Sequence, residues 1–184
     1  MSAQELIIFV DEDGTPTGEI GPKLDSHNAH TKLHLAFSCY VFRKSDNKFL
    51  VTQRALSKKV WPGVWSNSFC GHPAPGEAVE AAIRRRGAFE LGLIDLQDIK
   101  CVLPKYVYIT PPYKGVVEHE FCPIYIAHVG NEPTPNPDEV EAYTWISWSE
   151  YATMLAQSAD EMSYWCKDQY ALLKDLHFFR QLGR

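Results

Sequence analysis

Residues 71–93 read GHPAPGEAVEAAIRRRGAFELGL, and this stretch decides the expected fold. From Glu77 to Leu91 it lacks proline and is rich in alanine, arginine and glutamate, which are good helix formers. Gly92 follows as a C-terminal stop, because glycine readily adopts the left-handed conformation that ends many helices. The stretch therefore predicts a loop, a helix over 77–91 and a second loop.

Apolar runs on either side of this helix predict strands. These runs cover residues 6–10, 17–20, 33–42, 49–53, 102–110, 117–127 and 142–146. An Asp-Gly turn separates the first two, which is typical of a β-hairpin. Ser147 and Glu150 have the spacing of a helix capping box, and a last amphipathic helix is expected from Ser158 onward. The sequence thus predicts one α+β domain over 1–184, with a mixed β-sheet flanked by helices and an N-terminal hairpin.

Composition limits the classes of protein that fit. The chain has 184 residues, of which 45% are hydrophobic and 22% charged, and these are ordinary values for a globular domain. A net charge of -5 argues against general nucleic-acid binding, so an anionic ligand needs a local basic cluster. No apolar run approaches the roughly 20 residues that cross a bilayer. Because the N-terminal residues lack the features of a signal peptide, we expect a cytoplasmic protein whose five cysteines remain thiols.

The spacing within residues 71–93 resembles the Nudix box, a loop–helix–loop with fixed glycine, glutamate and arginine positions. The matching residues are Gly71, Glu77, Arg85, Glu90 and Gly92. Two carboxylates of the box are replaced here, by Arg86 and Phe89. Nudix hydrolases use clustered carboxylates to hold several Mg²⁺ ions, and a cation within that cluster would repel them. The resemblance therefore implies a Nudix-like fold that has lost the hydrolase chemistry.

Three further motifs resemble a more specific family, the type I isopentenyl-diphosphate isomerases, which are divergent Nudix proteins. They are LHLAFS at 33–38, RALSKKVWPGVWSNSFCGHP at 54–73 and EHEFC at 118–122. The similarity extends from about Thr15 to about Trp165. It implies the interconversion of isopentenyl and dimethylallyl diphosphate through a carbocation, in which one carbon gains a proton and another loses one.

Cys70, Glu120 and Tyr108 match the residues that transfer protons in this family. An unactivated alkene is a weak base, so the reaction needs a desolvated acid with a base opposite it. The resemblance gives Glu120 the role of the acid, Tyr108 a hydrogen bond to it, and Cys70 the opposing position. Taken alone, Cys70 is typical of a buried structural cysteine and Tyr108 of a strand aromatic. Trp165 matches the aromatic residue that faces the cation, whose energy a π face lowers.

The resemblance also implies a metal site. Glu118 and Glu120 are two residues apart, so in a strand their carboxylates share one face and repel each other unless a cation lies between them. The family's set of three histidines and two glutamates corresponds to His27, His34, His72, Glu118 and Glu120. His30 is an alternative to His27 as the first ligand. Mixed nitrogen and oxygen ligands suit Mn²⁺, Zn²⁺ or Mg²⁺.

A local cluster of basic residues is expected to bind the diphosphate. The family positions are matched by Lys23, Arg54, Lys58 and Arg86. Arginine offers two parallel hydrogen bonds to phosphate oxygens, and lysine offers a point charge. A second ion, a Mg²⁺ that bridges to the diphosphate, corresponds to Glu90 together with the backbone carbonyl of Cys70.

Two other functions compete with the isomerase. A Nudix hydrolase of diphosphates would release phosphate or a monophosphate and would tolerate Cys70→Ala. A noncatalytic diphosphate- or metal-binding module would bind its ligand without forming a product. For the isomerase we expect small isoprenoid diphosphates as partners, no nucleic acid or membrane, and a monomer or weak homodimer.

Overall fold

The computed structural model describes residues 5–26 and 28–182. Its α-helices within these ranges are α1 (Lys23–Ser26), α2 (Val79–Leu91), α3 (Trp148–Gln157), α4 (Tyr164–Leu173) and α5 (His177–Leu182). Its strands there are β1 (Leu6–Val10), β2 (Pro16–Pro22), β3 (His34–Leu35), β4 (Phe37–Arg43), β5 (Phe49–Arg54), β6 (Trp65–Ser66), β7 (Phe69–Gly71), β8 (Gln97–Leu103), β9 (Val107–Ile109), β10 (His119–Phe121), β11 (Ile124–Val129) and β12 (Val140–Ile146). His27 lies outside the described residues.

The strands form two mixed sheets. The larger sheet has the order β12-β5-β4-β11-β8, and the short strands β6 and β7 pair with β5 and β4. The smaller sheet has the order β2-β1-β3-β10-β9. One neighbouring pair in each sheet, β4 with β11 and β3 with β10, is parallel, and the other neighbours are antiparallel. The sequence predicted the α+β class and the mixed pairing, but placed all strands in one sheet.

Three predicted strands are each divided between the two sheets. The run 33–42 is divided at Ala36, so that β3 joins the smaller sheet and β4 the larger one. The run 102–110 is broken at Pro104, so β8 joins the larger sheet and β9 the smaller one. The run 117–127 is broken at Pro123, which separates β10 from β11 in the same way. Proline has no N–H to donate to a ladder, so the breaks at Pro104 and Pro123 occur where strand pairing cannot continue. The result is that β10, which carries Glu120, lies between β3 and β9, and β9 carries Tyr108.

The helix ends agree with the sequence signals at two places. Gly92 has φ of 64° and closes α2, which begins at Val79, two residues later than predicted. The capping box at the start of α3 is confirmed, since the side chains of Ser147 and Glu150 each accept the other's backbone N–H. The C-terminal helix predicted from Ser158 is instead divided into a short 3₁₀ turn, α4 and α5.

The core lies on both faces of the larger sheet. On β4, Phe37, Cys39 and Val41 face α2, whereas Tyr40 and Phe42 face the C-terminal helices, as the two-residue period of a strand requires. Both sets are fully buried. Helices therefore cover the sheet from both sides. No helix in residues 5–26 or 28–182 combines the length and apolarity that crossing a membrane requires.

Candidate active site

A cavity of about 660 Å³ is lined by both sheets and by helices α1, α2 and α4. The predicted site residues in its lining are Lys23, Arg54, Lys58, Cys70, His72, Arg86, Glu90, Tyr108, Glu118, Glu120 and Trp165. His34 is fully buried behind this lining and contacts it through His72. The structure thus brings together nearly all of the predicted side chains, although the sequence places them on eight helices and strands and in three loops.

Three neighbouring strands bring His34, Glu120 and Tyr108 together. His34 on β3 is the direct partner of Glu120 on β10, and Glu120 is the direct partner of Tyr108 on β9. Direct partners in a sheet project from the same face, so the three side chains form a row. His72, which follows β7, completes the group.

His34, His72 and Glu120 are buried and offer ligand atoms that all lie within 4.8 Å of one another. The two imidazole Nε2 atoms are 3.2 Å apart, and Nε2 of His72 is 3.1 Å from Oε1 of Glu120. His34 Nδ1 lies 2.9 Å from the backbone oxygen of Lys32. Because a carbonyl can only accept, this contact fixes the proton on Nδ1 and leaves the lone pair of Nε2 facing the group. Such a buried nitrogen and oxygen set fits a divalent metal ion.

The protonation states in this group suit the same role. Burial lowers the pKa of His72 to about 4, helped by the charge of Lys23, so its ring is neutral and able to bind a metal. Burial opposes ionisation of Glu120, but its contacts with His34 and His72 outweigh this effect and hold the pKa of the carboxyl well below its usual range. Glu118 lines the same cavity, although it is not one of the three residues whose ligand atoms converge within the described chain. His27, the remaining predicted ligand, lies outside the described residues.

Tyr108 donates a hydrogen bond of 2.8 Å to Oε2 of Glu120. Burial, and then the charge of Glu120, raise the pKa of Tyr108 well above its usual value, so the phenol keeps its proton. Its ring stacks on that of Tyr106, at 5.4 Å between centroids, and Tyr106 is in turn bonded to Asp168 at 2.8 Å. Helix α4 therefore helps to hold the acid–tyrosine pair in place.

Cys70 projects from β7 into the same cavity. Its Sγ lies 3.3 Å from Ser38 Oγ and 3.3 Å from Asn67 Oδ1. Burial raises the pKa of the Cys70 thiol to about 12, against the opposing effect of the Ser38 hydrogen bond, so the sulfur carries a proton at neutral pH. A Cβ atom on Gly71 would lie only 2.9 Å from Arg86 Cγ, so the glycine after Cys70 lets β7 pack closely on α2.

Trp165 closes the apolar part of the cavity. It is buried on α4, and its indole nitrogen donates to Ser66 Oγ and Asn67 Oδ1, each at 3.1 Å. Its ring lies 6.3 Å from that of Tyr108. An aromatic face beside the proton-handling groups is able to stabilise a cation formed between them.

The cavity lining also contains basic side chains, and several of these cations are paired with carboxylates. Arg86 lies 2.7 Å from Glu90, and Glu5 accepts from Lys23 at 2.8 Å. Lys58 is paired with Glu139. A diphosphate would therefore have to compete with these carboxylates for the cations.

Arg54 anchors the 56–64 loop, a role that the sequence did not predict. Its guanidinium donates to the backbone oxygens of Val60 and Trp61, each at 3.0 Å, and lies 5.7 Å from the ring of Trp165. Arg54 thus holds the 56–64 loop against the site. Trp61 in this loop has φ of 54°, an uncommon conformation for a bulky residue, and the contacts with Arg54 help to maintain it.

The sequence did not identify several residues that shape the site through hydrogen bonds or ion pairs. Ser38 and Asn67 lie inside the recognised motifs, so motif membership was the signal that could have drawn attention to them. Glu5, Glu139 and Gln169 lie outside those motifs, and their contacts arise only from the fold.

Comparison with known proteins agrees with this geometry. The family profile described as NUDIX domain matches residues 32–166. An isopentenyl-diphosphate Delta-isomerase of Agromyces mediolanus is 48% identical over 172 residues, covering 94% of this chain and 82% of that protein. One of Paenarthrobacter aurescens is 45% identical over 173 residues, covering 94% and 92%. The chain belongs to the isopentenyl-diphosphate Delta-isomerase family.

Solved structures confirm the Nudix fold predicted for this isomerase family member. A crystal structure from Deinococcus radiodurans matches with a TM-score of 0.66 at 18% identity, covering 98% of this chain and 100% of that one. The structure of a MutT protein from Methanosarcina mazei matches with a TM-score of 0.59 at 14% identity, covering 83% and 94%. At these identities the likeness concerns the fold alone.

The two positions at which this chain departs from the Nudix box, Arg86 and Phe89, lie in contact on α2. Arg86 stands where the box has a carboxylate, and it forms a buried pair with Glu90. Phe89, at the other changed position, is about half exposed and lies 5.2 Å from the guanidinium of Arg86. For an isomerase of this family, the buried histidine–glutamate group indicates a divalent metal site.

Proposed function

We propose that this protein interconverts isopentenyl diphosphate and dimethylallyl diphosphate in isoprenoid biosynthesis. It is an isomerase by family. The observation that carries the proposal is that Cys70 and the Glu120–Tyr108 pair line one cavity together with Trp165, Lys23, Lys58 and Arg86. Proton transfer, cation stabilisation and diphosphate binding each have a group in this one cavity.

The proton balance assigns complementary roles to the two sides of the cavity. In the forward direction Glu120, assisted by Tyr108, gives a proton to the terminal alkene carbon, and a tertiary cation forms. Cys70 as thiolate then takes a proton from the neighbouring carbon, and the electrons of that C–H bond become the new double bond. The reverse direction starts with the proton on Cys70 and an ionised Glu120. The surroundings of the two groups favour this second state, since burial raises the pKa of the Cys70 thiol whereas the pKa of Glu120 is lowered.

The diphosphate end supplies binding and orientation. Lys23, Lys58 and Arg86 would exchange their carboxylate partners for phosphate oxygens, and Arg54 would add a contact from the 56–64 loop that it holds. Glu90 and the backbone carbonyl of Cys70 would hold a Mg²⁺ there. We propose that His27, His34, His72, Glu118 and Glu120 hold Mn²⁺, Zn²⁺ or Mg²⁺, which would supply positive charge beside the acid.

Exclusion of water is the remaining requirement, because a free carbocation reacts with water. Trp165 and Tyr108 are both largely buried, and Trp61 packs at right angles to Trp165, 6.3 Å away. These rings would surround the isoprenyl group while leaving the charged end open to the basic cluster. We propose that the protein carries out this chemistry in the cytoplasm as a monomer or weak homodimer.

A Nudix diphosphate hydrolase is the alternative function. Arg86 counts against it, because this cation lies where a hydrolase gathers carboxylates and Mg²⁺. The two functions differ in their products and in their need for Cys70.

The test is NMR of the purified protein with isopentenyl diphosphate, Mg²⁺ and Mn²⁺ in D₂O, with Cys70→Ala as the matched variant. We expect deuterated dimethylallyl diphosphate from the wild type and none from the variant. Unchanged, undeuterated substrate under each metal would overturn the isomerase proposal. Release of phosphate that Cys70→Ala does not affect would instead support the hydrolase.

A further inference from the structure

The orientation of one buried amide fixes the hydrogen bonds around Cys70. The Nδ2 atom of Asn67 donates to two backbone oxygens, those of Cys39 at 3.1 Å and Phe69 at 3.0 Å. Because a carbonyl oxygen only accepts, the NH₂ group must point toward them, and Oδ1 must point the other way, toward Cys70 and Trp165. Asn67 is fully buried, so water does not offer an alternative arrangement.

This orientation determines where the proton of Cys70 points. Asn67 Oδ1 has no hydrogen, so in the 3.3 Å contact between these residues the thiol is the donor. The sulfur has one hydrogen, and that hydrogen is thereby used. In the second 3.3 Å contact of the sulfur, the donor must be the hydroxyl of Ser38.

The other contacts of Ser38 agree with this direction. Its Oγ accepts from Gln169 Nε2 at 2.8 Å, and Gln169 Oε1 accepts from the Tyr40 hydroxyl at 2.8 Å. Cys122 Sγ lies 3.4 Å from the same Oγ and is able to donate to its second lone pair. A hydroxyl has one hydrogen and two lone pairs. With Cys70 as acceptor and with Gln169 and Cys122 as donors, the single donor site and both acceptor sites of Ser38 are used. Ser38, Tyr40 and Gln169 are fully buried.

We propose that Ser38 is a positioning residue for the isomerase reaction, and that its hydroxyl donates to Cys70 Sγ in an orientation imposed by Gln169. Ser38 lies directly across from Cys70 on the adjacent strand, so the fold places the hydroxyl beside the sulfur before substrate binds. When a C–H proton passes to the sulfur, or returns from it, the charge on Sγ changes by one while Ser38 keeps its own proton. The hydrogen bond is stronger to the charged sulfur, so it stabilises the thiolate form.

The kinetic part of this inference rests on the proposed function, and the test separates the two. We would compare Ser38→Ala and Gln169→Met with Ser68→Ala as control. Ser68 is an equally buried serine whose hydroxyl is hydrogen-bonded to the backbone of Val41 and Leu50, and within residues 5–26 and 28–182 its side chain makes no hydrogen bond to Cys70. Ser38→Ala should lower kcat about 10- to 100-fold with KM within about twofold, and Gln169→Met should lower it less. Melting temperatures identify any variant that fails to fold.

A second readout does not depend on turnover. The S–H stretching band of Cys70, assigned in the infrared spectrum by its loss in Cys70→Ala, should move to higher frequency in Ser38→Ala. A sulfur that no longer accepts a hydrogen bond donates a weaker one to Asn67. Ser68→Ala should leave the band in place. An unmoved band in folded Ser38→Ala would show that the hydroxyl donates to Cys122 instead and would overturn the proposal. So would a kcat equal to that of Ser68→Ala. If the wild type shows no turnover, the proposed function fails while the band still tests the hydrogen bond.

Discussion

Replacing Arg86 with methionine should lower the free energy of unfolding by about 3 to 5 kcal/mol, because it leaves a buried carboxylate without its cation. The Nη2 atom of Arg86 lies 2.7 Å from Glu90 and 3.4 Å from Glu139, and Nη1 lies 3.2 Å from Glu5. Glu139 and Glu5 each keep a lysine in the variant, so Glu90 is affected most. The side chains of Arg86 and Glu90 are only 10% and 11% exposed, so water screens their charges little.

Urea denaturation at pH 7, without added metal or ligand, measures this effect. Arg84→Met is the matched control, because Arg84 pairs with Glu80 on the same helix at 2.8 Å with side chains 49% and 57% exposed. An exposed pair of this kind contributes at most about 1 kcal/mol. Adding Glu90→Gln to Arg86→Met removes the stranded charge and should recover at least about 1 kcal/mol. Equal losses in Arg84→Met and Arg86→Met would refute the argument from burial.

Three further outcomes are expected. Tyr108→Phe removes the 2.8 Å donor to Glu120 and should lower kcat about 10- to 100-fold in steady-state assays, whereas a change in KM alone would contradict its role. His34→Ala should reduce the divalent metal that remains after dialysis, measured by mass spectrometry, and a chelator should abolish wild-type turnover until metal is restored; an undiminished metal content would remove His34 from the site. Burial opposes ionisation of Glu5, but Lys23 lowers the pKa of Glu5 from 4.5 to about 2. The ionised Glu5 therefore stabilises the folded state fully above pH 4.5, and this stabilisation is lost as the pH falls toward 2. Glu5→Gln should therefore lower the melting temperature at pH 7, by a difference from wild type that shrinks between pH 5 and 2; a difference independent of pH would exclude this pairing.

Local signals were sufficient for the elements that depend on local chemistry. The helix ending at Gly92, the capping box at Ser147 and the N-terminal hairpin are each decided by residues within a few positions of one another. The division of strands between two sheets was not predicted, although Pro104 and Pro123 stand at two of the three breaks. A proline ends strand pairing wherever it occurs, but only the packing of the whole chain determines that the strand after it joins a different sheet.

The site depends on register between distant strands, and this explains what the sequence could and could not predict. Motif resemblance identified His34, Glu120 and Tyr108 one by one, yet their common row follows from the parallel pairing of β3 with β10 and the antiparallel pairing of β10 with β9. A shift of one residue in either pairing would turn Glu120 away from a partner. The surroundings of Cys70 depend on distant contacts in the same way, since Gln169 reaches Ser38 over 131 positions of sequence. Carboxylate and thiol chemistry is therefore encoded in short motifs, whereas the direction of the hydrogen bonds that tune the thiol is set by tertiary contacts with the C-terminal helix α4.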